Sequence, residues 1–422
     1  MDFSKINIKN CPCGQTHTEV DISVNIGEGF IGRVGEFLTN FPRELLIVAD
    51  KNTLAASEGI LNNLESAGFN FSLQVYDNCT EANIREVKKI EELECEAILA
   101  VGSGSIGDIC RLAAFNKNKK FAIFATAPSM DGFASSVAPI TVNNIKENFL
   151  CRPPSVIIAD TNILAKSPNK FKSAGFGDIM AKYIALAEWK IAHIITGEPY
   201  CETIASIMND ALQKTVAIAD SVTSADTKAA AALMEALTLA GVVMARAGHT
   251  RPAAAIEHLI AHFWENEKLS KGLHSAFHGE KVGVATLLAA KLYGNLINGV
   301  YGMPRLQEDN TNWEEVYAAY PEAAREFIRK QNEPSPLNEI DKNALLAKSA
   351  QIANIIKTEI SYENINDLLK RAGCKRHISE IDIDEELAIS ALKYHAYSRR
   401  ALHLTRLFPI LGINPDYRAL LN

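Results

Sequence analysis

The chain has 422 residues, 47% of them hydrophobic and 22% charged, with a formal net charge of −7. That length accommodates two or three domains, and the acidic balance argues against a nucleic-acid binder, which would carry a basic surface. The eight cysteines stand singly apart from Cys11 and Cys13, a pattern that fits free thiols in a reducing cytoplasm better than a disulfide framework.

The opening Met-Asp-Phe-Ser-Lys-Ile-Asn lacks the apolar core of a secretion signal, so a cytoplasmic location is expected. Cys11-Pro-Cys13-Gly-Gln-Thr-His17 offers three soft donors. A structural zinc wants four, and no second Cys/His pair lies nearby in the chain, so the expectation is a turn with incidental thiols. Short apolar runs then alternate with helical stretches. Strands are predicted at 44–49, ending at Asp50, and at 71–76, 97–101, 120–125 and 156–159, with helices over 53–67 and 81–93. This alternation predicts an α/β N-terminal dinucleotide-binding domain over 1–165, a parallel sheet with helices on both faces.

After about residue 166 the texture changes. Alanine-rich helical periodicity covers 169–195, 202–221, 228–247, 252–267 and 278–297, punctuated by Pro199, Gly248 and Gly272. Helices return at 343–357, 363–371 and 384–407, after a weakly patterned, proline-containing excursion over 302–341. Nothing beyond 166 reads as a strand, so an all-α C-terminal domain over 166–422 is expected. The apolar stretch 229–245 is short and broken by Glu235, and reads as a buried helix rather than a membrane span.

Two sets of residues carry chemistry. Gly102, Gly104 and Gly107 spell G-x-G-x-x-G after a strand and at a helix start, where backbone N–H groups and the helix dipole can meet a pyrophosphate. The position is unusual, since such a turn normally opens the first βα unit and this one follows the third predicted strand. Asp50 ends a strand where an acid can accept from a ribose hydroxyl, with Lys51 beside it. The loop Thr126-Ala-Pro-Ser129-Met-Asp131-Gly-Phe-Ala-Ser135 places hydroxyls and a carboxylate at the C-terminal edge of the sheet, where ligands of open α/β sheets bind. In the second half, Asp178, His258 and His278 stand in distinctive local phrases. Two imidazoles and a carboxylate hold a divalent ion and leave a position open for substrate. His258 and His262 are four apart, as are His274 and His278 if one helix spans them. Glu257 and Glu265 read as solvated helix charges, and Glu280 as a group that orients a ligand.

Four phrases in order, Gly-Ser-Gly-Ser-Ile-Gly-Asp, Thr-Ala-Pro-Ser-Met-Asp-Gly-Phe-Ala-Ser, Gly-Phe-Gly-Asp and His-Gly-Glu-Lys-Val-Gly, resemble the superfamily of iron-containing alcohol dehydrogenases, glycerol dehydrogenases and dehydroquinate synthases. Within it the chain most resembles the glycerol-1-phosphate dehydrogenase family, including its bacterial AraM-like branch, over roughly residues 10–300. The resemblance implies a dehydroquinate synthase-like fold with a cleft between the two domains. It implies that Asp50, Gly104, Ser105, Ile106, Gly107, Asp108, Thr126, Ser129 and Ser135 line NAD(H) or NADP(H). Asp178, His258 and His278 would hold one divalent metal ion: zinc, nickel or iron. Asp131, Asp178 and His262 would contact substrate and serve catalysis. It also implies a homo-oligomer, a dimer first; the acidic charge and the lack of a clear span lead to an expectation of no nucleic-acid or membrane partner.

The expected reaction is reduction of a phosphorylated ketone, dihydroxyacetone phosphate first, to sn-glycerol 1-phosphate. The ion polarises the carbonyl, the nicotinamide supplies hydride, and a proton reaches the alkoxide from a histidine such as His262 or a bound water. Lys281, Arg251 and His274 are candidates for the phosphate. One departure from the family phrase is Arg251-Pro-Ala-Ala254-Ala255-Ile256-Glu257-His258, where small polar residues are usual before the first metal histidine. That leaves a dehydrogenase of another small polyol or hydroxy-phosphonate, or a sugar-phosphate cyclase, as alternatives.

Overall fold

A computed structural model describes residue 8 and residues 10–421; the N-terminal heptapeptide read above for a signal lies outside them. The sheet has six parallel strands. They are β1 (Ser23–Gly27), β2 (Glu44–Asp50), β3 (Asn70–Tyr76), β4 (Ala97–Gly102), β5 (Lys120–Ala125) and, after a hairpin, β8 (Val156–Asp160), in the order β1-β8-β5-β4-β2-β3. The central strands β2, β4, β5 and β8 are buried almost end to end, as continuous apolar runs must be when helices cover both faces. Helices α1 (Val34–Phe37), α2 (Lys51–Ala56), α3 (Ile60–Ser66), α4 (Ile84–Glu91) and α5 (Gly104–Asn116) connect them.

Among the strands, two features differ from expectation, and the predicted helices 53–67, 343–357 and 384–407 are each broken into shorter ones. Strand β1 pairs in parallel with β8 at the sheet edge, and it escapes the sequence because Ser-Val-Asn-Ile-Gly is short and only partly buried. The antiparallel hairpin β6 (Val137–Val142) and β7 (Ile145–Leu150) also goes unread. Its signal is Asn143-Asn144, both with positive φ (49° and 61°), the conformation a tight two-residue hairpin turn requires.

After α6 (Thr161–Lys166) no strand occurs among the described residues. The predicted helix over 169–195 is two helices meeting at Ala181, α7 (Asn169–Met180) and α8 (Lys182–Thr196). They are followed by α9 (Glu202–Val216), α10 (Thr227–Ala247), α11 (Ile256–Ser270) and α12 (His278–Ile297). Helix α10 is long and apolar enough to cross a membrane, but 67% of its apolar window is buried inside the fold, as expected for 229–245. Residues 302–341 carry two α-helices, Trp313–Ala318 and Glu322–Asn332, and a 3-10 turn, Pro336–Glu339. Upstream of these, the Arg305 and Gln307 amides donate to the carbonyls of Leu411 and Ile410, so the excursion is tied to the chain's end. One sheet face packs into a self-contained cluster around Ile47, Leu99 and Phe124. The other is continuous with the core of the helical half.

Helices α7 and α12 cross at backbone contact. A Cβ on Gly279 would sit 2.0 Å from the Ala174 carbonyl oxygen, and one on Gly177 would sit 2.8 Å from the Gly279 oxygen. On Gly175 it would lie 2.0 Å from the Pro128 oxygen, which seats α7 on the 126–135 loop. These glycines therefore lie flush where two backbones and a loop meet, and their neighbours in sequence are Asp178 and His278.

Candidate active site

Asp178 near the end of α7, His258 in the first turn of α11 and His278 at the start of α12 converge. One ligand atom from each lies within 4.8 Å of the others. His258 Nε2 is 3.6 Å from Asp178 Oδ1, and His278 Nε2 is 3.9 Å from Oδ2. Ligand atoms at about 2.0–2.2 Å from one ion lie roughly 3–4 Å apart, so this donor set fits a divalent cation. The outer contacts fit as well. Glu257 Oε1 accepts from His258 Nδ1 at 2.8 Å, which directs Nε2 at the site, and from the Ala255 amide at 2.8 Å.

Lys182 sits at the centre with its ammonium wholly buried. It donates to Asp131 Oδ2 at 2.7 Å, Asp178 Oδ1 at 3.0 Å and the Asp178 carbonyl at 2.9 Å. The Asp131 amide donates to Asp178 Oδ2 at 3.0 Å. Burial alone would favour the neutral acid at Asp178, but Lys182 and the imidazoles outweigh it and hold that carboxyl well below the ordinary range. Asp131 moves upward, through burial and then the charge of Asp178, with Lys182 opposing. Desolvation draws His278 down to about 3, the other imidazoles adding and Asp178 opposing. Its ring is therefore neutral at working pH, the form that ligates. At His258 the opposite holds: burial would lower its pKa, but bonds to Asp178 and Glu257 outweigh burial and raise it to about 9, so an ion binding there displaces a proton.

His262 adjoins the trio, its ring centroid 5.6 Å from that of His278. Its Nδ1 is 3.4 Å from Glu265 Oε2. The other Glu265 oxygen takes Lys281 Nζ at 3.0 Å and Lys146 Nζ at 3.1 Å. Lys281 also donates to Ser275 Oγ at 2.8 Å. Opposite charges hold Glu265 ionised despite its burial. Glu257 and Glu265 are thus buried partners of the site rather than solvated charges. Lys146 arrives on the unread hairpin, which is why sequence reasoning misses it. Lys182 could have been found, being four residues from Asp178 and so on the same helical face.

Other candidates take different places. Arg251 is held by Glu198 at 2.7 Å and by the Leu402 carbonyl at 2.8 Å, so it supports the chain's C-terminal segment and is not a free phosphate donor. His274 is exposed and precedes α12, so it shares no helix with His278. Glu280 accepts the Phe277 amide at 3.1 Å and so caps the helix that His278 opens. In the altered turn, Ile256 points into the core. Ala255 has no side-chain cap; the Glu257 carboxylate meets its amide instead.

The strand order explains the unusual position of the glycine turn. The chain runs from β2 outward to β3, then crosses back to β4 on the other side of β2. The crevice between the C-terminal ends of β2 and β4 is the switch point where open α/β sheets bind ligands. Asp50 flanks it on one side and Gly102-Ser103-Gly104 on the other. Ser103 Oγ accepts the Gly104 amide at 2.6 Å and meets Ser129 Oγ at 2.6 Å, which joins α5 to the hydroxyl-rich loop. A side chain on Gly104 would press on Met130 at 3.1 Å. Thr126 is buried beside the turn, its amide on the Gly102 carbonyl.

Some predicted cofactor residues have structural partners. Ile106 packs beneath Gly102, while Ser105 and Gly107 lie in the first turn of α5. Asp108 is paired at 2.6 Å with buried Arg111, which also donates to the Gly132 and Phe133 carbonyls. Ser135 bonds within its own loop to Val137. Asp50 accepts the Thr53 amide at 2.8 Å and the Cys79 amide at 3.3 Å.

Residues 25–168 match the family model of iron-containing alcohol dehydrogenases. The chain is 28% identical over 410 residues to a glycerol-1-phosphate dehydrogenase (NAD(P)+) of Geobacillus stearothermophilus, covering 95% of each. It is 32% identical over 302 residues to one of Halalkalibacterium halodurans, covering 68% of this chain and 74% of that protein. Among solved structures, a probable glycerol dehydrogenase of Sinorhizobium meliloti aligns with a TM-score of 0.65 at 15% identity, covering 96% of this chain and 97% of that one.

Proposed function

The chain belongs to the glycerol-1-phosphate dehydrogenase family of the iron-containing alcohol dehydrogenase superfamily, and on that premise we propose that it reduces dihydroxyacetone phosphate to sn-glycerol 1-phosphate, using NADH or NADPH and one divalent ion. The observation that carries this reading is the convergence of Asp178, His258 and His278 beside Asp131, Lys182 and the Lys146–Glu265–Lys281 cluster.

Asp178, His258 and His278 hold the ion, which when bound polarises the ketone and stabilises the charge that develops on its oxygen. Lys182 fixes the carboxylates of Asp131 and Asp178 in one orientation, and Asp131 then binds a substrate hydroxyl. Asp131, Asp178 and Lys182 together carry one negative charge, which a divalent cation outweighs. His262, whose pKa desolvation lowers against the pull of Glu265, is neutral at working pH. Its Nδ1–H rests on Glu265, so Nε2 is free to take a proton from solvent and pass it to the alkoxide, Glu265 stabilising the imidazolium in between. Lys146 and Lys281 exceed Glu265 by one positive charge, and that surplus in a buried setting suits the phosphate.

The β2/β4 crevice would hold the nicotinamide dinucleotide, with the N-terminus of α5 available to its pyrophosphate and the hydroxyls of Thr126 and Ser129 lining the same place. Each Asp50 oxygen receives one backbone amide and keeps a second acceptor position, so Asp50 can still take a ribose hydroxyl. We further propose a homodimer, for which exposed Leu150, Val300 and Met303 supply apolar contact area; light scattering reads its mass. The test of the reaction is chelator-sensitive loss of NADH or NADPH on addition of dihydroxyacetone phosphate, with the product's stereochemistry read by a chiral assay.

A further inference from the structure

Cys11, Cys13 and His17 do not stand alone. Cys201, the residue that caps α9, lies 190 positions later in the chain and against them in space. The four donor atoms lie within 4.8 Å of one another. Cys11 Sγ is 3.4 Å from Cys201 Sγ, Cys13 Sγ is 3.2 Å from His17 Nε2, and Cys201 Sγ is 3.4 Å from the same nitrogen. Tetrahedral zinc with bonds of about 2.3 Å to sulfur and about 2.0–2.1 Å to nitrogen sets S···S near about 3.7 Å and S···N near about 3.5 Å. A disulfide would need about 2.05 Å. The expectation of incidental thiols fails because the fourth donor is remote in sequence.

The surroundings are those of a ligand set. His17 Nδ1 meets the Arg246 carbonyl at 3.3 Å, which places the proton there and leaves Nε2 free to bind. Cys201 Sγ accepts the Ile204 amide at 3.5 Å at the start of a fifteen-residue helix, and the Thr203 hydroxyl lies 3.6 Å from Cys11 Sγ. Both contacts favour thiolates, as does the helix dipole. Gly14 takes a φ of +73°, and its amide closes a turn on the Cys11 carbonyl at 3.1 Å, so two cysteines two residues apart face one point.

We propose that Cys11, Cys13, His17 and Cys201 form a second, structural metal site that takes zinc, sharing no residue with the catalytic donor set. All four positions are protein ligands, so the site is closed and takes no substrate. Its effect is mechanical. The segment that leads into β1 is fastened to α9, and next to it the Thr18 amide bonds the Arg246 carbonyl at the end of α10. The zinc therefore ties the start of the α/β half to the helical half.

The test is zinc content and speciation in the full chain. With Asp178→Ala/His258→Ala removing catalytic donors, the protein retains one zinc per chain through dialysis. Adding Cys13→Ser lowers that to none and exposes residues 11–22 to limited proteolysis. Cobalt put into the same site gives a thiolate-to-metal charge-transfer band, which Cys13→Ser abolishes. Where a variant fails to fold, X-ray absorption on the zinc-loaded wild type decides, with a sulfur shell at about 2.3 Å expected. Zinc bound only by nitrogen and oxygen in the wild type overturns the proposal, as does a Cys11–Cys201 disulfide with no metal.

Discussion

Lys182→Met is the sharpest perturbation of the site. Methionine nearly matches the volume of the lysine stem but removes a wholly buried ammonium that sits 2.7 Å from Asp131 and 3.0 Å from Asp178. At an effective dielectric of about 20, each contact is worth about 5–6 kcal/mol of attraction. Desolvating the ammonium costs several kcal/mol, so the net value of the pair is far smaller. The variant, however, leaves two buried carboxylates facing each other without the ammonium they share, and breaking a buried pair in this way costs about 3–5 kcal/mol. Urea unfolding in chelator, followed by tryptophan fluorescence, should show that loss. Lys182→Met/Asp131→Asn, which removes one of the stranded charges, should recover part of it. Saturating divalent metal should also recover part, because the ion replaces the missing positive charge. A loss below about 1 kcal/mol in chelator, or none recovered by the second substitution, would refute the role given to Lys182.

Further outcomes follow from the same geometry. Gly279→Ala drives a methyl against the backbone of Ala174; it should cost about 3 kcal/mol or more and weaken metal binding, because it parts Asp178 from His278. Calorimetric metal titration of the folded fraction checks this. Lys281→Met should raise KM for dihydroxyacetone phosphate about tenfold or more, a loss of about 1.4 kcal/mol, and leave turnover of unphosphorylated dihydroxyacetone unchanged; equal losses on both would remove Lys281 from the phosphate. His395 is buried, with its ring on the Ala391 carbonyl and the Thr405 hydroxyl, and burial pulls its pKa from 6.5 to about 4. The unfolded chain therefore binds the extra proton between those values, and stability falls as pH drops through that window. From about pH 7.5 to about pH 5 the loss from this group is about 2 kcal/mol, which His395→Gln should remove from the urea midpoint shift.

Much of the architecture is legible in the sequence. The strands at 44–50, 97–102, 120–125 and 156–160 read clearly because strands covered on both faces are unbroken apolar runs. The helix at 278–297 reads to the residue, because alanine and leucine fill it and His-Gly-Glu opens it. What escapes does so for physical reasons. Strand β1 and the β6–β7 hairpin are short and half-exposed, so their composition is mixed. Hidden with the hairpin is Lys146, one of the two cations on Glu265. Glu257 and Glu265 look like surface charges because a helical glutamate usually is one; only the fold shows that His258, His262 and two lysines surround them. The G-x-G-x-x-G turn seems misplaced in chain order but lies at the switch point in space. Cys201 is unreadable as a partner of Cys11 and Cys13, since nothing local marks a residue 190 positions away as a neighbour.

The most direct measurement is absorbance at the nicotinamide band when metal-loaded protein and NADH meet dihydroxyacetone phosphate, repeated with NADPH, with chelator and with Asp178→Ala. The proposed reaction predicts a fast decrease with either nucleotide, yielding sn-glycerol 1-phosphate, that both chelator and the substitution abolish. No decrease in a protein shown to bind both metal and NADH, or a decrease that survives Asp178→Ala, would contradict it.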